Sequence, residues 1–324
     1  MKKIFSLMLA VLMLCLVFAG CAPKQAEKTT MKIAAISGPT GMGMVSLMEE
    51  TALGNAKHDY KFTVVTDPTQ IVGKITSKEF DIAAVPTNMA SAIYKKTSGG
   101  VSVLALNTGG NLFIIEKKNT ISKIADLKGK TIYATGQGAN PEFILNYVLK
   151  KNGLNVGTDV KVEYVADAKA LIGVAQQNDD AVLLAPQPAA TSILGAIKGS
   201  KAVIDMTKEF ETAAGKKMYM GCIIVRNEFL KANELAVKEF LKEYEASVNV
   251  ILNDTEKGAT LCEKYEIIPK AAVAKQAIPT SGVCFVAGEE MKKALSDYLA
   301  ICLAEMPKLV GGELPGDEFY FTGK

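Results

Sequence analysis

The chain repeats one pattern of strands and helices at an offset of about a hundred residues, and this limits its fold more than any other feature. From Lys32 a short apolar strand, Ile33-Ala-Ala-Ile-Ser37, runs into Gly38-Pro-Thr-Gly-Met-Gly43 and then an apolar-periodic helix to about Leu53. Its counterpart is Thr131-Ile-Tyr-Ala-Thr135, followed by Gly136-Gln-Gly-Ala-Asn140 and a helix from Pro141 to Lys151. The second units match more closely. Tyr60–Val65 alternates as a strand and Asp67 opens a helix; Val160–Val165 and Asp167 do the same. The third strands, Asp81–Pro86 and Asp180–Pro186, both end in proline ahead of a helix. Asp67 and Asp167 are 100 residues apart, as are Pro86 and Pro186. Two units of alternating strand and helix predict two α/β lobes, each a mostly parallel sheet flanked by helices, with right-handed crossovers.

Two further strands join the lobes. Asn111–Glu116 leaves the first and Met218–Arg226 returns. A long helix from Glu228 to about Asn253 follows, then helices around 259–265, 270–277 and 289–306 and one strand at 282–286. This tail lacks the repeat, so it is expected to complete the first lobe. The expected division is 31–112 for the first part of lobe 1, 113–221 for lobe 2 and 222–324 for the helical completion of lobe 1. Two crossings make a hinge.

The N-terminus reads as a secretory signal. Lys2 and Lys3 precede a run, Ile4 to Phe18, that is apolar apart from Ser6 and too short for a membrane span of about 20 residues. Phe18-Ala-Gly-Cys21 then resembles a bacterial lipobox, in which Cys21 is lipidated. Residues 1–20 are thus expected to be removed and 21–30 to form a flexible tether. The protein is expected on the outer face of the cell membrane, held by lipid.

Composition excludes several chemistries. A formal charge of +3 over 324 residues gives no footprint for nucleic acid. The single histidine, His58, rules out sites that need two imidazoles, including HExxH proteases; between Lys57 and Asp59 it reads as a solvated surface residue. There is no GxxxxGK[ST] loop and no GxSxG elbow. Neither a metal site nor a cofactor site is expected. Arg226, the only arginine, is expected to fix the start of the helix that follows it rather than to clamp a ligand. Cys222, Cys262, Cys284 and Cys302 form no CxxC; they read as buried thiols, and their spacing assigns no disulfide.

Ligands of parallel α/β sheets bind at the carboxyl ends of the strands, against helix N-termini. Two facing lobes would turn Gly38–Gly43 and Gly136–Asn140 into opposite walls of one cleft, with Asn140 as N-cap and Pro141 at the first helical position. Met42, Met44 and Met89 lie near the strand ends of the first lobe, where core packing is the commoner role.

These features together resemble the substrate-binding lipoproteins of bacterial ABC importers, with the two-lobe type II periplasmic-binding fold joined by two crossover strands. Ile124-Ala-Asp-Leu-Lys-Gly-Lys-Thr-Ile132, the glycine-rich turn, Lys151-Asn-Gly-Leu154 and Ala185-Pro-Gln-Pro-Ala189 resemble the nitrate/sulfonate/taurine and thiamine-precursor branch. The resemblance implies a monomer that captures one small solute between its lobes and delivers it to a permease with its ATPase, without catalysis. By matching position it implies a pocket drawn from Thr40, Gly41, Met42, Thr87, Asn88, Asn107, Gln137, Gly138, Asn140 and Gln187, with Pro279–Val283 as a further wall. The first turn departs from the usual serine-rich form. Two alternatives stand beside capture: a solute sensor for a membrane receptor, and an enzyme on the same fold, as in menaquinone and thiamine-precursor biosynthesis.

Overall fold

The computed structural model describes residues 28–323. The expected signal (1–20) and the lipidated Cys21 lie outside the described residues. The end of the expected tether is ordered: Lys28 Nζ donates to the Ala56 carbonyl at 2.9 Å, and the first strand begins at Thr30.

Eleven strands form two sheets among the described residues. The first half of the chain supplies β1 (Thr30–Ile36), β2 (Asp59–Val65), β3 (Ile82–Pro86) and β4 (Val101–Gly109). Their helices are α1 (Pro39–Met42), α2 (Val45–Ala52), α3 (Thr69–Thr76) and α4 (Thr87–Lys96). The second lobe holds β5 (Leu112–Glu116), β6 (Thr131–Ala134), β7 (Lys161–Tyr164), β8 (Val182–Pro186) and β9 (Lys201–Asp205). Here the helices are α5 (Asn140–Lys151), α6 (Ala168–Gln177), α7 (Ala189–Ala196) and α8 (Met206–Ala214). β10 (Tyr219–Arg226) returns to the first sheet. It is followed by α9 (Asn227–Ala232), α10 (Glu234–Asn253), α11 (Thr255–Lys264), α12 (Ala271–Ala277), β11 (Val283–Ala287) and α13 (Gly288–Glu305).

The first sheet runs β11-β4-β10-β3-β1-β2 and the second β7-β6-β8-β5-β9. In each, the three strands of the repeated unit are parallel: β1 pairs with β2 and β3, and β6 with β7 and β8. The sheets are nevertheless mixed. β10 runs antiparallel between β3 and β4, and β5 antiparallel between β8 and β9. The reason is the crossover itself: a strand that arrives from the other lobe enters at the ligand-facing edge and must run against its neighbours. The strands buried on both faces, such as Val101–Leu106 and Val182–Ala185, are continuous apolar or small-residue runs.

Three local readings are corrected by the structure. Asn140 is not the N-cap of α5; Ala139 takes that place with extended φ and ψ, and Pro141 falls one position further into the helix. The helix expected from Glu228 to Asn253 is two, broken at Asn233 (φ −136°), whose amide closes α9 onto the Phe229 and Leu230 carbonyls. His58 is not a solvated residue. It is 8% exposed, accepts from the Thr29 amide at Nδ1 and faces Glu239 through Nε2 at 2.9 Å.

The lobes do not have wholly separate cores. One apolar cluster contains Ile114, Ile132 and Phe143 of the second lobe together with Val103, Leu106 and Cys222 of the first sheet. α13 carries it across: Tyr298 meets Phe143 and Phe210 edge-on, with ring centroids 6.1 and 5.9 Å apart.

Candidate functional site

The chain crosses between lobes through Gly109, Gly110 and Asn111, and crosses back just before Tyr219. No side chain fits at Gly110, where a Cβ would lie 2.2 Å from Thr207 and 2.4 Å from Met218. Gly282 closes over the same point: its carbonyl accepts from the Gly109 amide at 2.6 Å. Around this crossing the carboxyl ends of β1, β3, β6 and β8 face a common cleft, where the parallel-sheet rule places a ligand.

The lobes touch across the cleft. Gly38 lies against Pro188, so that a methyl added at Gly38 would sit 4.0 Å from the proline ring. Gln187 Nε2 donates to Thr280 Oγ1 at 2.8 Å, joining the second lobe to the segment ahead of β11. Gln187 Oε1 accepts from Thr191 Oγ1 at 2.8 Å, which fixes the amide orientation. Asn111 is buried; its backbone carbonyl accepts from the Gln187 amide at 2.9 Å, and its Nδ2 reaches the Ser281 carbonyl at 3.4 Å. Its Oδ1 has no partner and is buried, an orphaned acceptor at the base of the cleft.

On the first-lobe side, Asn107 Nδ2 donates to the Thr40 carbonyl at 2.8 Å, and Thr108 Oγ1 donates to Asn107 Oδ1 at 3.1 Å. This polar group packs over Gly221, where a Cβ would lie within 2.9 Å of all three side chains. Thus Thr40 and Asn107 come together, and Gln187 meets the expected tail wall at Thr280.

Other expected residues are placed differently. Met42 is fully buried in the first-lobe core, away from solvent. Thr87 is fully buried and its hydroxyl donates to the Tyr219 carbonyl at 2.8 Å. Gly41 serves packing, since a Cβ there would be 2.1 Å from the Ile36 carbonyl oxygen. Asn88 lies half-buried in the first turn of α4, with an unpartnered Oδ1. Asn140 is 3% exposed and spent on structure: its Oδ1 accepts from Tyr298 Oη at 3.3 Å and its Nδ2 reaches the Met220 carbonyl at 3.5 Å. Gln137 and Gly138 are exposed at the turn. The turn's donor is already used, because the Gly138 amide donates to Glu142 Oε2 at 2.5 Å. An anion at this loop would have to displace that carboxylate.

The cleft base is therefore built from neutral amides and hydroxyls. Cys284, beside the Gly109 amide, is held neutral by burial, which pushes its thiol up to about 11. Sequence reasoning missed Asn111, whose partner Ser281 lies 170 positions away, and Thr191, whose partner Gln187 is one helical turn before it. Among the described residues no cluster of His, Cys, Asp or Glu is arranged to hold a metal ion.

Comparison with known families decides the lineage. The family model described as menaquinone biosynthesis matches residues 39–303, most of the chain. The chain belongs to the menaquinone biosynthesis family. This overturns the expectation of a protein without catalysis, because the members of the family are enzymes. Solved structures similar to this family member include an ABC transporter protein from Parabacteroides distasonis. It is 18% identical with a TM-score of 0.75, and the alignment covers 91% of this chain and 99% of that one. The aliphatic sulphonate binding protein SsuA from Escherichia coli is 14% identical, with a TM-score of 0.72 and coverage of 90% and 92%. The nitrate-binding protein NrtA from Synechocystis PCC 6803 is 13% identical, with a TM-score of 0.60 and coverage of 86% and 81%. At these identities the likeness establishes the two-lobe periplasmic-binding fold. No curated protein sequence matches the chain.

Proposed function

We propose that the protein is an enzyme of the menaquinone pathway type that binds one small molecule between its lobes. The observation that carries this is the family match over residues 39–303 on a fold whose cleft is lined by both lobes. The family suggests chorismate dehydration or a futalosine-related step as the reaction class. In this chain the cleft residues would bind and orient the substrate: Gln187 and Thr280 from opposite lobes, and Asn111 Oδ1 as an acceptor for a substrate O–H or N–H. Contact with both lobes would favour the closed arrangement, and closure would exclude water from the reacting group.

A second reading is favoured by the lipobox-like Phe18-Ala-Gly-Cys21. We propose that the protein is exported and held at the outer face of the membrane by a lipid on Cys21. There the same cleft would hand its ligand to an importer permease, as the fold likeness to binding proteins suggests.

Purified protein incubated with chorismate, and separately with futalosine and its breakdown products, separates the two. Binding read by thermal shift, with consumption followed by mass spectrometry, is expected to give a stabilised protein and a new product. A compound that stabilises the protein at about 100 times its Kd adds roughly 2.7 kcal/mol. Recovery of that compound unchanged would overturn the enzymatic reading and leave delivery. Cys21→Ser is expected to release the protein from membranes; retention there would overturn the anchor.

A further inference from the structure

The cleft does not end at the Gln187–Thr280 bridge. A cavity of about 530 Å³ opens beside it between α7 of the second lobe and α12 of the first. Thr191 and Gly195, four residues apart, share one face of α7, and Pro188 precedes the helix at its N-cap. Opposite them stand Ile268, Ala272 and Val273. The small α7 residues let the helices meet without filling the space between them. Its surface is almost wholly carbon, apart from the Thr191 and Ser192 hydroxyls, the Gln276 amide and Lys270 at the exposed rim.

We infer that this cavity is a subsite for the apolar arm of an amphiphilic small molecule, whose hydrogen-bonding head sits at Gln187 and Thr280. The inference rests on the interlobe cleft being the ligand site and adds the class of molecule it takes. Three observations carry it. The volume is within the range of small-molecule sites, roughly 300–1,000 Å³. The cavity is continuous with the polar bridge, since Pro188 follows Gln187 directly and Thr191 both lines the cavity and donates to Gln187 Oε1. Its two walls belong to different lobes, so an arm seated there binds the closed arrangement better than the open one. A smaller cavity of about 250 Å³, with Phe113 and Leu194 in its lining, lies on the other side of the bridge and shares Thr191 and Gln276. Water in this space faces carbon on most sides, and an apolar group that displaces it gains burial without stranding a polar partner.

The test uses 8-anilinonaphthalene-1-sulfonate as a fluorescent probe, displaced by the straight-chain alcohols from butan-1-ol to octan-1-ol. Saturable binding at one site is expected, with each added methylene tightening the competing alcohol about fourfold. Gly195→Phe fills the cavity from one wall; a Cβ there meets open space, so the backbone tolerates it. Ala272→Phe fills it from the other wall, at an exposed position that does not threaten folding. Both variants, checked for native circular dichroism, are expected to weaken the probe at least tenfold and flatten the alcohol series. No saturable binding, a flat series in the unmodified protein, or an unchanged series in both variants would each overturn the subsite. The titration reads binding alone. An intact alcohol series with no turnover of pathway compounds would therefore count against the reaction proposed above and not against the subsite.

Discussion

Arg226 is held by Asp81, with Nη2 2.8 Å from Oδ1, while its Nε donates to the Phe80 carbonyl at 3.1 Å. Asp81 in turn accepts from the Lys32 amide at 2.9 Å, so one nearly buried pair ties β1, β3 and β10 together. Arg226→Ala would leave the carboxylate buried without its cation. It is expected to lower the unfolding free energy by about 3–5 kcal/mol, read from the urea midpoint; a loss under about 1 kcal/mol would show the pair to be solvated. The thiols offer a second residue-scale prediction. Burial pushes Cys262 and Cys302 up to about 12 and Cys284 to about 11. At neutral pH the thiolate fraction at Cys284 is thus roughly 300-fold below that of a free cysteine. Site-resolved mass spectrometry after iodoacetamide is expected to find these cysteines unlabelled in native protein and labelled in urea. Rapid labelling of Cys284 in native protein would refute this. At this scale the sequence was only partly legible for Arg226: it stands where the helix begins, but its side chain is spent chiefly on Asp81 and the Phe80 carbonyl, 145 and 146 residues away, and ties strands rather than capping the helix. For His58 it was not legible, because the partner that buries it, Glu239, lies 181 residues away.

At the scale of elements, the repeat revealed which strands are parallel, but its paired caps part company: Asp167 caps α6 and accepts from the Ala170 amide at 2.9 Å, whereas Pro68 holds the cap of α3 and Asp67, one residue ahead of it, accepts from the Thr69 amide at 2.9 Å. Asn140 shows where that reasoning stops. Asn-Pro-Glu favours a cap locally, but Tyr298 of α13 offers a buried hydroxyl to the same amide, and the tertiary contact prevails. Missed as well were β4 and β9, although they too are repeat partners: they begin 100 residues apart, at Val101 and Lys201, and each lies beside the strand that arrives from the other lobe. α13 is also tied at its surface, where Asp297 bonds Lys216 at 2.9 Å and Lys293 at 3.0 Å. The Lys216 bond first, and then Lys293, holds this carboxyl below its usual value of 3.8. A depressed carboxylate stabilises the fold above its unfolded value, and the contribution is lost as pH falls through the folded one. The stability gap between the native protein and Asp297→Asn is therefore expected to be constant near neutrality and to shrink below about pH 3.8. Denaturant melts across that range check it; a gap that persists in strong acid would assign the effect to packing.

For the whole molecule, the two-lobe architecture was readable from the doubled pattern, whereas the chemistry of the cleft was not. The tail wall at Thr280 was expected, but that Gln187 would be its partner, and that Asn111 would face Ser281, follows only from the closing of two lobes, which leaves no periodic trace in sequence. The bridge from Gln187 to Thr280 is the testable part of that closure. A neutral hydrogen bond is worth about 1 kcal/mol, so Gln187→Ala is expected to shift the balance toward open forms by about fivefold. Small-angle scattering would show a larger radius of gyration for the variant, and an unchanged radius would mean that the apolar contacts between α7 and α12 suffice.

α13 sets the manner of that opening. It packs beside β4 and β11 of the first sheet, yet its Tyr298 is seated among Phe143, Tyr147 and Phe210 of the second lobe. The two sides of the molecule are thus unequal. The edge that carries α7 and α12 meets across a cavity, while the edge that carries α13 is sewn by aromatic rings that would have to be drawn into water to come apart. The lobes should swing as a door does, wide at the free edge and scarcely at all at the jamb, so that ligands come and go past α7 and α12.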